Sequence, residues 1–363
     1  MTNLSNIVSQ FITEGKILSV QPFGSGHIND SYLVTTDPPA TSDYVLQRIN
    51  HHIFTNVPDL TLNILKVTSH LRNKLRSNHP GSANFEIIRL IPANTNLYYY
   101  QDSEGNYWRL YDYIRESRSF DKVETTGQAY EGGKAYGTFQ LLACDFDASS
   151  LVEILPGFHN ISNRLATFRD TVGRDPAERV KGLEDEIRFV EERSEEMHKI
   201  FNLGQQGEIP LRVTHNDTKF NNVLFNPSNR AISVVDLDTV MPGFVLYDFG
   251  DAIRTGANTG NEDEEELSLV NIDLNLFSAY SKGYLEVASD FLHPVEKELL
   301  AFSAKFMTYI IGLRFLTDHL DGDHYYKIKF PGHNLQRARA QFKLLKSMEE
   351  QFGEMQDIIR NSH

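Results

Sequence analysis

The sequence predicts an α+β fold in two unequal lobes. A small antiparallel β-rich stretch with one helix occupies residues 1–112, and a larger, mainly helical stretch occupies 113–363. Short β-forming runs broken by turn residues fill the first third. Apolar residues then recur at helical spacing through most of the remainder. Inside that helical stretch a single polar loop stands between two short apolar runs, 211–213 and 223–225.

In the first third, residues 16–23, 31–36 and 43–49 cluster β-formers. Thr36-Asp37-Pro38-Pro39 closes the second onto the third, its prolines barred from any ladder. The first connection, Phe23-Gly24-Ser25-Gly26-His27, carries two glycines that let backbone N–H groups approach an anion, or that simply make a hairpin. Pro58 opens a helix running to about residue 78, with Leu60, Ile64, Val67, Leu71 and Leu75 on one face. Strands at 96–101 and 106–113 follow, and their aromatics read as sheet packing.

Beyond residue 119 the period is helical, with Ala135, Phe139 and Leu142 on one face. Single helices are expected over about 185–202, 294–320 and 333–359. On the second of these Arg314 sits in an apolar face and needs a carboxylate or a ligand, and Tyr325 and Tyr326 follow the helix end. The acidic run Glu262-Asp263-Glu264-Glu265-Glu266 reads as a solvated helix start, or as a collar for a cationic substrate.

A formal net charge of −14 argues against a nucleic-acid surface, which needs a positive stripe. The single cysteine, Cys144, fits a reducing compartment. Neither a signal peptide nor a membrane span is evident, so the expectation is a soluble cytoplasmic chain with no obligate protein partner.

The polar loop carries the chemistry. It reads Val213-Thr214-His215-Asn216-Asp217-Thr218-Lys219-Phe220-Asn221-Asn222, and a hairpin with its turn at Pro227-Ser228-Asn229 leads to Asp236 and Asp238. The hairpin carries Asn222 and Asp236 at opposite ends of adjacent strands. Such a set suits phosphoryl transfer: one carboxylate orients an attacking hydroxyl, while an amide oxygen and a second carboxylate hold a metal. Asp248 is expected to hold the loop from below.

With those residues in view the chain resembles the aminoglycoside phosphotransferase and choline kinase superfamily, small-molecule relatives of protein kinases. The signature is His215-x-Asp217-x-x-x-x-Asn222 followed by Val235-Asp236. Within that superfamily it is most similar to the N-acetylhexosamine 1-kinases. The further carriers are Gly26-His27-Ile28-Asn29, Asp236-Leu237-Asp238-Thr239-Val240-Met241-Pro242-Gly243, Asp248-Phe249-Gly250-Asp251 and Gly312-Leu313-Arg314-Phe315-Leu316. The resemblance implies a bilobal protein-kinase-like fold, with nucleotide bound by lobe 1–112 and catalysis and substrate binding in lobe 113–363. It implies ATP and Mg²⁺ as cofactors and an N-acetylhexosamine, GlcNAc or GalNAc, phosphorylated at its anomeric hydroxyl.

By the same resemblance Asp217 is the base, Asn222 and Asp236 hold the metal, and Gly24, Ser25 and Gly26 close over phosphates. Backbone of Tyr111, Asp112, Tyr113 and Ile114 meets the adenine. His27, Arg314 and Tyr325 meet the sugar. Two departures stand out: Gln47 or Arg48 occupies the place of the phosphate-pairing lysine, and the helix from 58 lacks a glutamate partner after Asp59. Arg48 is the expected substitute cation, and Asp238 a further metal or outer-sphere group. The rivals are a kinase of another neutral sugar, a kinase of a small amine (choline or an aminoglycoside), and a non-catalytic nucleotide binder.

Overall fold

A six-stranded antiparallel sheet fills the N-terminal third of the computed structural model, which describes residues 4–24, 28–37, 42–76 and 84–362. A short helix, α1 (Leu4–Val8), precedes strands β1 (Ile17–Pro22), β2 (Asp30–Thr36) and β3 (Tyr44–Ile49). Helix α2 (Val57–Arg76) then crosses to β4 (Leu90–Ile91), β5 (Tyr100–Gln101) and β6 (Tyr107–Asp112). The strand order is β1-β2-β3-β6-β4, with β5 also on β6. The expected strand at 96–101 shrinks to two residues, because Asn96 takes a left-handed φ of 64° and turns the chain.

Strand alternation gives the sheet two different faces. Tyr44, Leu46, Trp108 and Leu110 pack with Ile7 and Val8 of α1 in a small outer core. Ile49 and Tyr111 face the other way and join the main core with α2. That core runs unbroken into the helical lobe. Asn63 of α2, buried, donates to the carbonyls of Val152 (2.7 Å) and Val240 (3.0 Å), fixing the helix to the C-terminal lobe by neutral hydrogen bonds.

The helical lobe begins with α3 (Thr126–Ala143), opened by a Thr125–Gln128 capping box. Next come α4 (Ile161–Arg174), α5 (Glu184–Arg193) and α6 (Lys199–Gln205). The helix expected over 185–202 is interrupted where Ser194 Oγ bonds back to the Glu191 carbonyl at 2.9 Å and a 3₁₀ turn intervenes. The site strands follow: β7 (Arg212–Thr214), β8 (Val223–Phe225), β9 (Ala231–Val234) and β10 (Met241–Gly243), paired as β7–β10 and β8–β9.

Five helices complete the chain: α7 (Val245–Gly256), α8 (Leu274–Ala288), α9 (Pro294–Asp321), α10 (His333–Glu350) and α11 (Phe352–Arg360). The single tail helix expected over 333–359 is two, because α10 lies along α9 while α11 also reaches α8, and the chain turns at Gln351. By length and composition α9 could cross a membrane, but its most apolar window is wholly buried within the protein. It is the central core helix. Glycine lets α7 lie against it: a Cβ on Gly250 would fall 2.2 Å from the Ser303 carbonyl oxygen.

Candidate active site

Strands β7 and β8 hold the ends of the polar loop, β10 pairs with β7, and the start of α7 supports the loop. Asp248 accepts the backbone N–H groups of His215 and Asn216, both at 2.8 Å, and the Gln140 side-chain amide at 3.0 Å. Its own carbonyl accepts the Thr218 hydroxyl at 2.6 Å. The expected supporting role of Asp248 is therefore built from four hydrogen bonds. His215, fully buried against Tyr136 and Phe139, braces the loop from inside. Its Nδ1 accepts the Asp217 N–H (3.3 Å), which assigns the proton to Nε2, 2.9 Å from the Val235 carbonyl.

Asn216, at φ 64°, sits in the left-handed region, where Asn is among the few tolerated side chains. Its amide donates to Thr214 Oγ1 and the Thr239 carbonyl, both at 2.9 Å. The chain thus emerges from a buried stretch at Asp217, whose carboxylate is partly open to the cleft. Enclosure by protein works to raise its pKa, but Lys219, 3.1 Å away, outweighs it and holds the carboxyl below the ordinary range. Lys219 is raised in turn by Asp217.

Antiparallel pairing of β8 with β9 brings the two chain-wise opposite ends together: Val235 donates its N–H to the Asn222 carbonyl at 2.9 Å, and Asp236 follows directly. The Asn222 side-chain amide nitrogen donates to the Asp217 carbonyl at 2.9 Å, leaving its oxygen as the group to offer a cation. Asp236 is open to water in the cleft yet ringed by protein. That enclosure, then the carboxylates of Asp238 and Asp217, push its pKa up to about 7. Such unbalanced negative charge suits a divalent cation. Among the described residues no three His, Cys, Asp or Glu side chains group closely enough to hold a metal by themselves. A donor set of one carboxylate and one amide oxygen fits Mg²⁺, which keeps waters and substrate phosphates in its shell.

The expectation for Arg48 is corrected. Strand parity puts it on the α1 side of the sheet, where it pairs with Asp30 and stays about half exposed. Gln47 takes the cleft face instead, opposite Arg109 of β6. Arg109 is 1% exposed, pairs with Asp238, donates Nε and Nη2 to the Gln47 side-chain oxygen (3.0 and 2.8 Å), and lies 5.1 Å from the Tyr111 ring. Asn29 donates to the second oxygen of Asp238 at 2.6 Å.

Gly24 has a φ of 77°, the left-handed conformation glycine permits at a turn. Ser25, Gly26 and His27 lie outside the described residues. At the end of β6, the Asp112 and Tyr113 N–H groups already donate to the carbonyls of Arg89 (3.0 Å) and Asp43 (2.9 Å). The donors left for a ligand at Tyr111, Asp112, Tyr113 and Ile114 do not include those two.

Arg314 lies beneath aromatic rings, 4.6 Å from Phe158, 5.7 Å from Tyr325 and 5.6 Å from Tyr326. Its Nη2 is 3.5 Å from the Tyr325 hydroxyl. Among the described residues it has no carboxylate within ion-pair distance. Burial, then the nearby charges of Arg314, Arg164 and Arg254, keep His159 neutral, its pKa well below the usual value. His159 meets the Tyr247 ring at a tilt, 5.2 Å between centroids, and borders Asn216, so it connects the Arg314 wall to the loop bearing Asp217.

The acidic run is occupied by its own surroundings. Glu262 takes Arg254 at 2.9 Å, Asp263 takes Lys329 and His333 at 3.0 Å each, and Glu266 caps Ser268. No open collar of carboxylates results from these three. Arg254 also bonds Asp251 at 2.8 Å, and burial, which opposes its charge, is more than offset by Asp251 and Glu262.

Sequence reasoning missed Arg109, Arg254, His159 and Gln140. Only Arg109 had a readable signal: it is the one charged residue in the interior of strand YWRLYD, between apolar and aromatic neighbours.

The chain matches the phosphotransferase enzyme family over residues 19–284. Among solved structures it is similar to an aminoglycoside phosphotransferase from Alicyclobacillus acidocaldarius (12% identity, 98% of this chain and 97% of that one, TM-score 0.61). It is also similar to a microcompartment-associated aminopropanol kinase (13%, 97% of each, 0.56). A choline kinase from Cryptosporidium parvum gives 13% identity, 94% and 92% coverage and a TM-score of 0.55. At these identities the structures share the protein-kinase-like fold, while the match along more than half of the sequence carries the relationship: the chain belongs to the phosphotransferase enzyme family.

Proposed function

We propose that the chain is an ATP- and Mg²⁺-dependent kinase that phosphorylates the anomeric hydroxyl of an N-acetylhexosamine, working in the cytoplasm where ATP is available. The family relationship supports phosphoryl transfer to a small-molecule hydroxyl. The carrying observation for the substrate is Arg314: a guanidinium with no carboxylate partner among the described residues, walled by Phe158, Tyr325 and Tyr326. Aromatic faces suit the apolar side of a sugar ring, and an uncompensated guanidinium donates to sugar oxygens while repelling ammonium groups. Glu262 and Asp263 of the acidic run are already paired with Arg254, Lys329 and His333, which argues against amine substrates in the same direction.

In this reading nucleotide lies over residues 1–112, against the turn at 24–26 and the backbone near Ile114, and sugar lies over 113–363 with His27, Arg314 and Tyr325. Asn222 and Asp236 hold the metal, which supplies charge neutralisation on the phosphates when bound. Asp217, ionised at neutral pH, accepts the hydrogen bond of the anomeric hydroxyl and fixes its line of approach. An anomeric hydroxyl is more acidic than an ordinary alcohol, so orientation is the larger share of what Asp217 must supply; it receives the proton as the new P–O bond forms and the bond from the γ-phosphorus to the bridging oxygen breaks, that oxygen leaving with ADP. Lys219 keeps that carboxylate charged beforehand.

The test is coupled ADP release with Mg–ATP against GlcNAc, GalNAc, glucose, galactose, choline and kanamycin. Turnover with the N-acetylated sugars, lost when the anomeric hydroxyl is blocked as a methyl glycoside, supports a 1-kinase. Turnover with choline or kanamycin alone overturns the sugar reading. ATP binding without turnover on any acceptor overturns the enzyme.

A further inference from the structure

The cleft holds three carboxylates and two neighbouring cations. Asp236 is flanked by Asp238 and Asp217, and it feels both Arg109 and Lys219. Of the three acids, Asp238 is fully engaged by the N-terminal sheet: one oxygen pairs with Arg109 of β6, and the other accepts Asn29 at 2.6 Å. Asn29 in turn accepts the backbone N–H of Asn50 at 2.9 Å, which anchors the turn after β1 to the end of β3. Arg109 is equally committed, with Nη1 on Asp238 and Nε and Nη2 on Gln47, whose amide is held by Ser31 Oγ at 3.0 Å. A guanidinium 1% exposed and bonded along both edges of its fork cannot reach a phosphate without leaving Asp238.

We infer that Arg109 is a positioning residue, whose buried pair with Asp238 ties the sheet to the metal-binding strand end and withdraws Asp238 from the metal. The pair offsets one negative charge of the cluster, so that Asp236 and Asn222 serve a single divalent cation. The structure therefore places between the two lobes of the molecule, on β6, the cation expected on β3. Helix α2 supplies no carboxylate partner and meets the C-terminal lobe through Asn63 instead. A buried ion pair is no more stabilising than an apolar pair of equal volume, so stability alone gives no account of this one. The inference rests on the metal-binding half of the proposed function and is independent of the sugar.

The sign of an electrostatic change separates this role from simple packing. Mn²⁺ binding to the full chain without nucleotide is measured by calorimetry, with urea unfolding in parallel. Arg109→Met removes the cation and frees Asp238, so Mn²⁺ binds tighter, by about threefold or more, the effect of one unit charge a few ångströms away even at the dielectric of water. Asp238→Asn leaves the guanidinium unbalanced beside Asp236, so Mn²⁺ binds weaker by a similar factor. Arg109→Lys keeps the charge and holds the wild-type affinity even where the lost fork lowers stability. Weaker binding in Arg109→Met, or affinities that simply follow unfolding stability, overturn the inference. If Arg109→Met fails to fold, unchanged or tighter binding in Asp238→Asn does the same. A wild-type chain that binds no Mn²⁺ removes the metal site and this inference together; wild-type binding with unaltered variants removes the inference alone.

Discussion

Asp248→Asn isolates the support under the catalytic loop from the chemistry above it. The carboxylate spreads its bonds over both oxygens: His215 N–H and Gln140 Nε2 on one, Asn216 N–H on the other. An asparagine offers one oxygen and one NH₂, so one buried backbone N–H must face another donor. Leaving a buried amide unsatisfied costs about 1–3 kcal/mol. Burial raises the pKa of Asp248, so a neutral side chain also removes some cost of burying charge, and the net loss falls to about 1–2 kcal/mol. That corresponds to a drop of a few degrees, about 2–4 °C per kcal/mol, in the unfolding midpoint. The effect on rate is larger. The amide that loses its acceptor adjoins Asp217, and a displacement of ~1 Å of a positioned group costs about 100-fold. Near-UV circular dichroism on heating and initial-rate ADP release would read the two effects from one preparation. Wild-type turnover together with a wild-type midpoint would refute the idea that Asp248 sets the loop.

Asp217→Asn should abolish acceptor-dependent turnover and leave nucleotide affinity, measured by calorimetry, nearly unchanged; near-normal rates would remove Asp217 as the base. Arg314→Ala should raise KM for the sugar by about tenfold or more, the loss of a charged hydrogen bond being worth about 1.5–3 kcal/mol, with KM for ATP little altered. Equal changes in both would take Arg314 out of the sugar pocket. Lys219→Met should move the acid limb of the pH–rate profile upward. Lys219 holds the Asp217 pKa down, so without it the carboxyl protonates at higher pH as acid is added. Water in the cleft screens this part-exposed pair, so the upward movement is smaller than for a buried one. A limb that stays in place would show that Asp217 does not govern it.

Where one element decides one pattern, the sequence was informative. The hairpin at 223–234 follows from two short apolar runs around Pro227-Ser228-Asn229, and antiparallel pairing then had to bring Asn222 beside Asp236. Asp248 could be read as the loop's support because it follows the loop in a segment whose acids had no other evident use. Helices α4 and α8 were missed although each carries an N-cap, Asn160 and Asp273, that bonds the first turn. Their apolar positions are interspersed with polar ones that bind neighbouring helices. In α8, for example, Tyr284, fully buried, gives its hydroxyl to Gln140, so a polar atom sits on a core-facing position. The break at Gln351 depends on where α8 and α9 stand, which no local pattern records.

The cation of the cleft shows the limit most clearly. Gln47 and Arg48 are neighbours, and strand alternation must send one to the cleft and the other to the α1 side. Charge alone favours Arg48, since a nucleotide site wants a cation. What decides is the rest of the strand: Tyr44 and Leu46 share the parity of Arg48 and are wanted in the outer core with Trp108 and Leu110. Burying them there commits Arg48 to that same face, at the rim where Asp30 meets it in water. The cleft is then left with Gln47, a neutral group whose oxygen can hold a guanidinium from the next strand. Arg109 lies directly opposite in the β3–β6 register and has the reach to pair with Asp238. A parity choice made by four apolar side chains on the far side of a sheet thus selects which arginine stands beside Asp238 and Asp236.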